Sequence, residues 1–231
     1  MLKAAGLVPF TTIDFPGRLA AVVFLQGCPL KCPFCHNYTL QKEGTPTDID
    51  WPEIDDFLAH RHKQLDGIVL SGGEPLKHKE VKGLIEKIKT LGYQVAVHTS
   101  GVYPDMLASV LPLLDWVGLD IKAPWDKYSI LTGVSSPKIV PNIQKSLDIL
   151  LKNDIDFECR TTCDPRYLTK KDILSIAHAL AGQGVKHYVL QRYRTFDGDK
   201  DPPEESAIES FFRDSALQAE LKSLFPHYMV R

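Results

Sequence analysis

Leu19-Ala-Ala-Val-Val-Phe-Leu-Gln-Gly-Cys28-Pro-Leu-Lys-Cys32-Pro-Phe-Cys35 is the stretch on which the reading of this chain turns. Its first seven residues form an almost unbroken apolar run, the pattern of a strand buried on both faces of a parallel sheet covered by helices. Its last eight hold three of the chain's five cysteines in one loop. Two prolines oppose a helix there, and a tight bend can turn three thiolates toward one point. The loop follows the C-terminal end of a strand, which is where α/β folds carry their chemistry. Three soft sulfur donors suit an iron–sulfur cluster or zinc and match magnesium or calcium poorly. On the cysteines alone both metals stay open. His36 would complete a three-Cys, one-His zinc site, whereas a cluster on three cysteines leaves one iron without a protein ligand.

Downstream of this loop the pattern alternates. Apolar periodicity predicts helices near 50–64, 79–91, 104–114, 142–152, 170–181 and 204–224. The first has Trp51, Ile54, Phe57 and Leu58 on one face, with Asp48 or Asp50 as its cap. The second has a stripe of Val81, Leu84, Ile85 and Ile88 and ends at Gly92. Between them fall short apolar strands at 66–70, 93–97, 116–122, 156–161 and 187–191. With the strand at 19–25 these make six, all parallel, because each crossover is long enough to carry a helix. The fold expected is α/β, a partial (β/α)6 TIM-like barrel; an open doubly wound sheet would show the same alternation. No linker or shift of composition divides the chain, so residues 1–231 read as one domain. Residues 1–18 form a leading segment punctuated by Pro and Gly, with room for a short strand, and 195–231 a closing loop and helix.

Composition bounds the partners. The 231 residues are 44% hydrophobic and 24% charged, as in an ordinary globular protein, and the formal charge of −2 excludes nucleic acid or an anionic membrane held by bulk electrostatics. No apolar run reaches membrane length, and the first residues lack the form of a signal peptide. Five cysteines, an odd number with three of them in one loop, do not make a secreted disulfide framework, so a cytoplasmic location is expected.

Polar groups fall at the C-terminal end of every predicted strand, and one rim should therefore hold one site. After the cysteines come Gly72-Gly73-Glu74-Pro75, then His98-Thr99-Ser100-Gly101, then Asp120 and Lys122, Arg160 and Thr161, and the stretch 191–194. Gly72 and Gly73 let backbone approach a ligand, and Glu74 offers an acceptor for an ammonium group or, more plainly, a carboxylate at a helix start. Lys122 would meet a ligand carboxylate or simply Asp120. A lone His98 reads as loop material. Cys159 and Cys163 read as small buried hydrophobes, and Phe24, Phe57 and Tyr188 as core.

Taken together, these residues resemble the radical S-adenosylmethionine (SAM) superfamily, whose hallmark is CxxxCxxC with an aromatic before the last cysteine, here Phe34. Cys35-His36-Asn37 and Ile13-Asp14-Phe15-Pro16-Gly17 are similar to segments of the activating enzymes of glycyl-radical proteins. The run Phe10-Thr-Thr-Ile-Asp-Phe-Pro-Gly17 resembles most the activating proteins of anaerobic ribonucleoside-triphosphate reductases. The resemblance implies a single [4Fe–4S] cluster on Cys28, Cys32 and Cys35, with SAM on the open iron. It implies SAM contacts from Gly72, Gly73, Glu74, Asp120, Lys122 and Arg160. His98 and Thr99 stand where relatives have Asp-Thr beside the methionine moiety; in pyruvate formate-lyase activase that Asp helps hold a monovalent cation. The chemistry implied is reductive cleavage of SAM to methionine and a 5′-deoxyadenosyl radical, which takes a hydrogen from a glycine of a partner enzyme. Asp14 would touch the partner's loop, and flavodoxin or ferredoxin would donate the electron. Two other readings stand beside it: a radical SAM enzyme acting on a small molecule, as in deazapurine synthesis, and a zinc-stabilised binding module.

Overall fold

The computed structural model describes residues 2–47 and 49–231. Among them, eight strands form one sheet in strict chain order. They are β1 (Ala4–Thr11), β2 (Ala20–Leu25), β3 (Gly67–Gly72), β4 (Gln94–Thr99), β5 (Trp116–Asp120), β6 (Asp156–Cys163), β7 (His187–Arg192) and β8 (His227–Val230). A doubly wound sheet reverses its order at a switch point. This one never reverses, so the barrel reading is the right one of the two. β1 and β8 stand at the two ends of the order, which leaves the barrel open along one side.

The six expected strands are β2 to β7, each parallel to the next. Two corrections concern the edges. β1 is a full strand of eight residues and runs antiparallel to β2, so the sheet is not all parallel. Gly6 and Pro9 disguise it, and an edge strand tolerates both, since a proline there forfeits no ladder bond that the sheet requires. β8 adds a parallel strand beyond β7 in four half-exposed or exposed residues, too few for a pattern to register.

The helices are α1 (Trp51–Arg61), α2 (Val81–Thr90), α3 (Pro104–Val110), α4 (Tyr128–Thr132), α5 (Ile139–Leu151), α6 (Lys170–Gly182), α7 (Glu205–Phe212) and α8 (Ser215–Leu224). Asp50 caps α1 in a reciprocal box with Glu53; Asp48, the other candidate cap, lies outside the described residues. Ile54 and Leu58 are buried, while Trp51 and Phe57 are half-buried. All four stripe residues of α2 are buried. The long closing helix is in fact two, because Asp214 accepts the backbone N–H of Leu217 and starts a new helix there. The five-residue α4 is too short to show a period. No helix among the described residues is long and apolar enough to cross a membrane.

Alternation along the strands separates two cores. Ala21, Val23 and Leu25 of β2 face the helices in the large outer core, as do Ile68, Leu70, Val95, Val97, Val117 and Leu119. Ala20, Val22, Val69, Ala96 and Trp116 face inward and pack with Phe15. Gly67 makes room for that ring: a Cβ there would come within 2.8 Å of Phe15. The segment after β1 therefore folds in as a floor to the barrel, with Phe15 against Trp116 at 6.1 Å between centroids. Above this apolar floor the inward positions turn polar, and the site begins.

Candidate active site

The cysteine loop hangs from backbone bonds at both ends. Gly27 N–H donates to Leu40 O at 2.7 Å and Cys28 N–H to Gln41 O at 3.0 Å. Lys31 N–H donates to Thr132 O at 2.7 Å, and Cys35 N–H to Cys32 O at 3.2 Å. Cys28, Cys32 and Cys35 are free thiols and line a single cavity. Burial, helped by the charge of Glu74, pushes the Cys28 thiol up to about 12. Burial likewise pushes Cys32 up to about 11, with Lys122 working against it. Such thiols hold their protons at neutral pH unless a metal displaces them. His36, the fourth ligand of the zinc reading, has its ring against Tyr193 and Phe196, with centroids at 5.6 and 5.4 Å.

The two glycines after β3 answer a steric demand of the same loop. Gly72 has φ +116°, and a Cβ on it would lie 2.3 Å from the backbone of Leu25; one on Gly73 would lie 2.4 Å from the Gly27 carbonyl. Across this contact Gly73 N–H donates to Leu25 O and Glu74 N–H to Gly27 O, both at 2.8 Å. Only glycine lets the ends of β2 and β3 approach so closely.

Glu74 does not offer its carboxylate to the cavity. It is 0% exposed and accepts four hydrogen bonds: from Leu76 N–H at 3.1 Å, Thr99 Oγ1 at 2.7 Å, Ser100 N–H at 2.7 Å and Ser100 Oγ at 2.5 Å. Burial raises its pKa, and the Ser100 and Thr99 donors oppose that rise. Glu74 stands where the plainer reading puts it, at the start of a short helical turn, and ties the end of β3 to that of β4. Ser100 was missed as a member of this network; its only signal in sequence was a hydroxyl next to Thr99 after a strand.

Asp120 closes β5 between two cations. Arg160 donates to its Oδ1 from Nε at 2.8 Å and Nη2 at 2.6 Å, and Lys122 Nζ reaches Oδ2 at 3.1 Å. Burial would raise the Asp120 carboxyl, but Arg160 and then Lys122 outweigh it and hold the group well below the carboxylate range. Burial would likewise depress Lys122, and Asp120 reverses that, keeping its ammonium charged. The Arg160 guanidinium lies across Gly118, where a Cβ would approach it to 2.9 Å. Tyr128, which sequence reading passed over, braces the pair: its hydroxyl accepts from Lys122 N–H at 2.9 Å and donates to Asp120 O at 3.3 Å.

His98 is the next-to-last residue of β4 rather than loop material. It faces the barrel interior, edge-on to Trp116, and its Nε2–H donates to the Asp14 carbonyl at 2.8 Å. Burial and then Arg160 depress its pKa, so the ring is neutral. The Asp14 carboxylate accepts from Thr11 Oγ1 at 2.6 Å and lines a second cavity, which shares His98, Asp120 and Arg160 with the first. The cysteine cavity itself is lined by Gly72, Gly73, His98, Thr99, Asp120, Lys122 and Arg160 together with the three thiols. Cys159 and Cys163 lie elsewhere, fully buried in β6.

A clamp that no motif announced holds the rim. Arg166 donates to Asp164, Asp199 and the Asp201 carbonyl, with its guanidinium over Tyr167 and Tyr193. It secures the loop after β7, whose Phe196 packs on His36 and Tyr38.

Residues 22–157 match the sequence profile of the radical SAM superfamily. A protein of Methanocaldococcus jannaschii named "Putative glycyl-radical enzyme activating enzyme MJ1227" is 33% identical over 201 residues, covering 84% of this chain and 80% of that protein. Pyruvate formate-lyase-activating enzyme of Listeria monocytogenes is 40% identical over 94 residues, 38% of this chain and 36% of that enzyme. 7-Carboxy-7-deazaguanine synthase of Halobacterium salinarum is 36% identical over 115 residues, 46% of this chain and 44% of the synthase. In fold, the crystal structure of Streptococcus suis SuiB bound to S-adenosylmethionine matches with a TM-score of 0.63 at 13% identity, over 89% of this chain and 48% of SuiB. The chain belongs to the radical SAM superfamily and, within it, to the glycyl-radical-enzyme activating enzymes.

Proposed function

We propose that residues 1–231 work as one radical SAM domain that binds a [4Fe–4S] cluster and SAM and makes a glycyl radical on a partner, an anaerobic ribonucleoside-triphosphate reductase, in the cytoplasm. The observation that carries the proposal is convergence. A three-thiol loop after β2 and polar residues from the ends of β3 to β6 line one cavity. The donor set fits the group. Three free thiols lining one cavity, with no fourth cysteine beside them, suit a cluster that leaves one position open. Cys28, Cys32 and Cys35 would hold it.

When bound, the cluster and SAM supply one-electron cleavage of a sulfonium and the primary carbon radical that takes hydrogen from glycine. The chain's own residues position and exclude. Lys122, kept charged by Asp120, would receive the SAM carboxylate. Gly72 and Gly73 expose backbone, while Glu74 acts from behind by fixing Thr99 and Ser100. With the group bound, the apolar Phe15 floor and the Arg166-clamped loop would help keep other hydrogen donors out of the cavity. The electron would come from flavodoxin or ferredoxin. Anaerobic reconstitution with iron and sulfide tests the assignment: wild type should take up iron and sulfide in equal amounts and, once reduced, release methionine from SAM. Each of Cys28→Ser, Cys32→Ser and Cys35→Ser should lose both properties. Zinc uptake without sulfide would refute it.

The likeness to 7-carboxy-7-deazaguanine synthase gives a second reading some support, a small-molecule substrate in the same cavity. Product analysis of reduced, SAM-loaded protein with candidate purine precursors would separate the two.

A further inference from the structure

At the opposite end of the barrel, where β3 and β4 begin, lies a cavity of about 540 Å³. It shares no residue with the cysteine cavity or the one beside it. Its volume is in the range of small-molecule pockets and exceeds what a bare ion needs. Gly17 and Arg18 of the leading segment, His62, Lys63 and Asp66 between α1 and β3, and Gln94 of β4 form its walls. Its cations are unmatched. Lys87 and Lys89, in the last turn of α2, each have a carboxylate, from Asp55 and Asp115. Arg18 and Lys63 have none among the described residues. Neutral groups aim the Arg18 guanidinium instead: Nε–H donates to the Gln94 side-chain oxygen and Nη1–H to the Gly17 carbonyl at 3.2 Å, which leaves Nη2 without a partner. The His62 ring stands edge-on to Tyr93 with centroids 6.2 Å apart, and neither of its nitrogens has a hydrogen-bond partner among the described residues.

The one carboxylate on these walls is Asp66, whose Oδ2 accepts the Leu19 N–H at 2.8 Å. Two cations and an imidazole against one carboxylate leave the cavity positive and rich in donors. The backbone adds an independent sign. Lys63 follows the C-cap of α1 with φ +67°, the only non-glycine in the left-handed region among the described residues. Glycine is usual there, and a lysine is strained, so the position carries a charge against its own conformational preference. A phosphate monoester brings close to two negative charges and three acceptor oxygens, and an arginine fork suits it. A carboxylate has one charge and two oxygens for the same three donors, and a cation would be repelled. We propose that this cavity binds a small phosphorylated molecule, its phosphoryl group held by Arg18, His62 and Lys63. The site lies under the barrel floor. Arg18 N–H donates to the Phe15 carbonyl at 3.1 Å, and Phe15 packs on Trp116. A ligand that fixes Arg18 therefore also steadies residues 14–18, where the Asp14 carbonyl accepts from His98.

Titration calorimetry on the reconstituted, SAM-loaded protein tests this, with ribose 5-phosphate as the phosphorylated probe, sulfate as a bare anion and ribose as the uncharged control. Ribose 5-phosphate should bind once per chain, sulfate more weakly and ribose not at all. Arg18→Gln should weaken ribose 5-phosphate binding about tenfold, the loss of a charge-assisted bond. Lys63→Gly should weaken it by a similar factor without lowering the urea midpoint, since glycine takes the left-handed conformation freely. Hydrogen exchange at residues 14–18 should slow when the probe binds. No saturable heat with ribose 5-phosphate, or binding that both variants leave unmoved, overturns the inference. Sulfate bound as tightly as ribose 5-phosphate overturns it too, by reducing the cavity to an unselective anion patch. Exchange that slows only around the cysteine loop places the probe in the other cavity and overturns it as well.

Discussion

A carboxylate cut off from water must be met by donors, and Glu74 is met by four of them. In Glu74→Gln one oxygen becomes an amide that faces two of those donors. The Thr99 hydroxyl can turn away, but the backbone N–H groups of Leu76 and Ser100 cannot. The apo-protein should lose about 2–4 kcal/mol, the cost of buried groups left without partners, and its urea midpoint should drop with an unchanged m-value; an unmoved midpoint would show that the network carries no stability. The thiols give a second check at this scale. Because burial holds Cys28 near 12, its thiolate is scarce at pH 8 and grows about tenfold per pH unit as pH rises. Metal-free protein should therefore react with iodoacetamide at Cys28 far more slowly than a free cysteine at pH 8, and the rate should still be climbing beyond pH 9, as read by peptide mass mapping. A plateau near pH 9 would contradict the raised thiol at this half-buried position. What sequence alone made legible here was residue type and place. It could not show direction: Glu74 turns inward to Ser100, and His98 turns to the Asp14 carbonyl, because of neighbours brought together only by the fold.

At the scale of elements, the pieces that a periodicity reveals are those buried on two faces. β2 to β7 are runs of that kind and were legible in the sequence with boundaries off by no more than two residues. β1 and β8 were not, since edge strands with exposed faces carry Gly, Pro or mixed polarity. α4 escaped for its length, yet it links two parts of the site. Thr132 accepts from the cysteine loop at Lys31, and Tyr128 braces Asp120 and Lys122. Tyr128→Phe keeps the stack on Trp125 and removes only the hydroxyl, which leaves Lys122 N–H without its acceptor. We expect a loss of about 1–2 kcal/mol in urea unfolding and a several-fold weaker SAM affinity by equilibrium dialysis of the reconstituted protein. Unaltered SAM affinity would reduce Tyr128 to a packing residue.

The whole molecule is a barrel closed below by Phe15 and Trp116, covered above by the cysteine loop, and open along the side between β1 and β8. That form gives a radical a sheltered place to arise and leaves a way in for a segment of another protein. The clamp of Arg166 on Asp164 and Asp199 steadies the cover. If this shelter exists to hand the radical to a glycine outside the chain, the radical must be found on the partner. Reduced, reconstituted protein is mixed anaerobically with SAM and anaerobic ribonucleoside-triphosphate reductase, and EPR is recorded on the separated reductase. A stable doublet should appear on the reductase, collapsing to a singlet when its glycine carries deuterium at Cα, with methionine released in step with the radical formed. SAM cleavage with no radical on the reductase would contradict it.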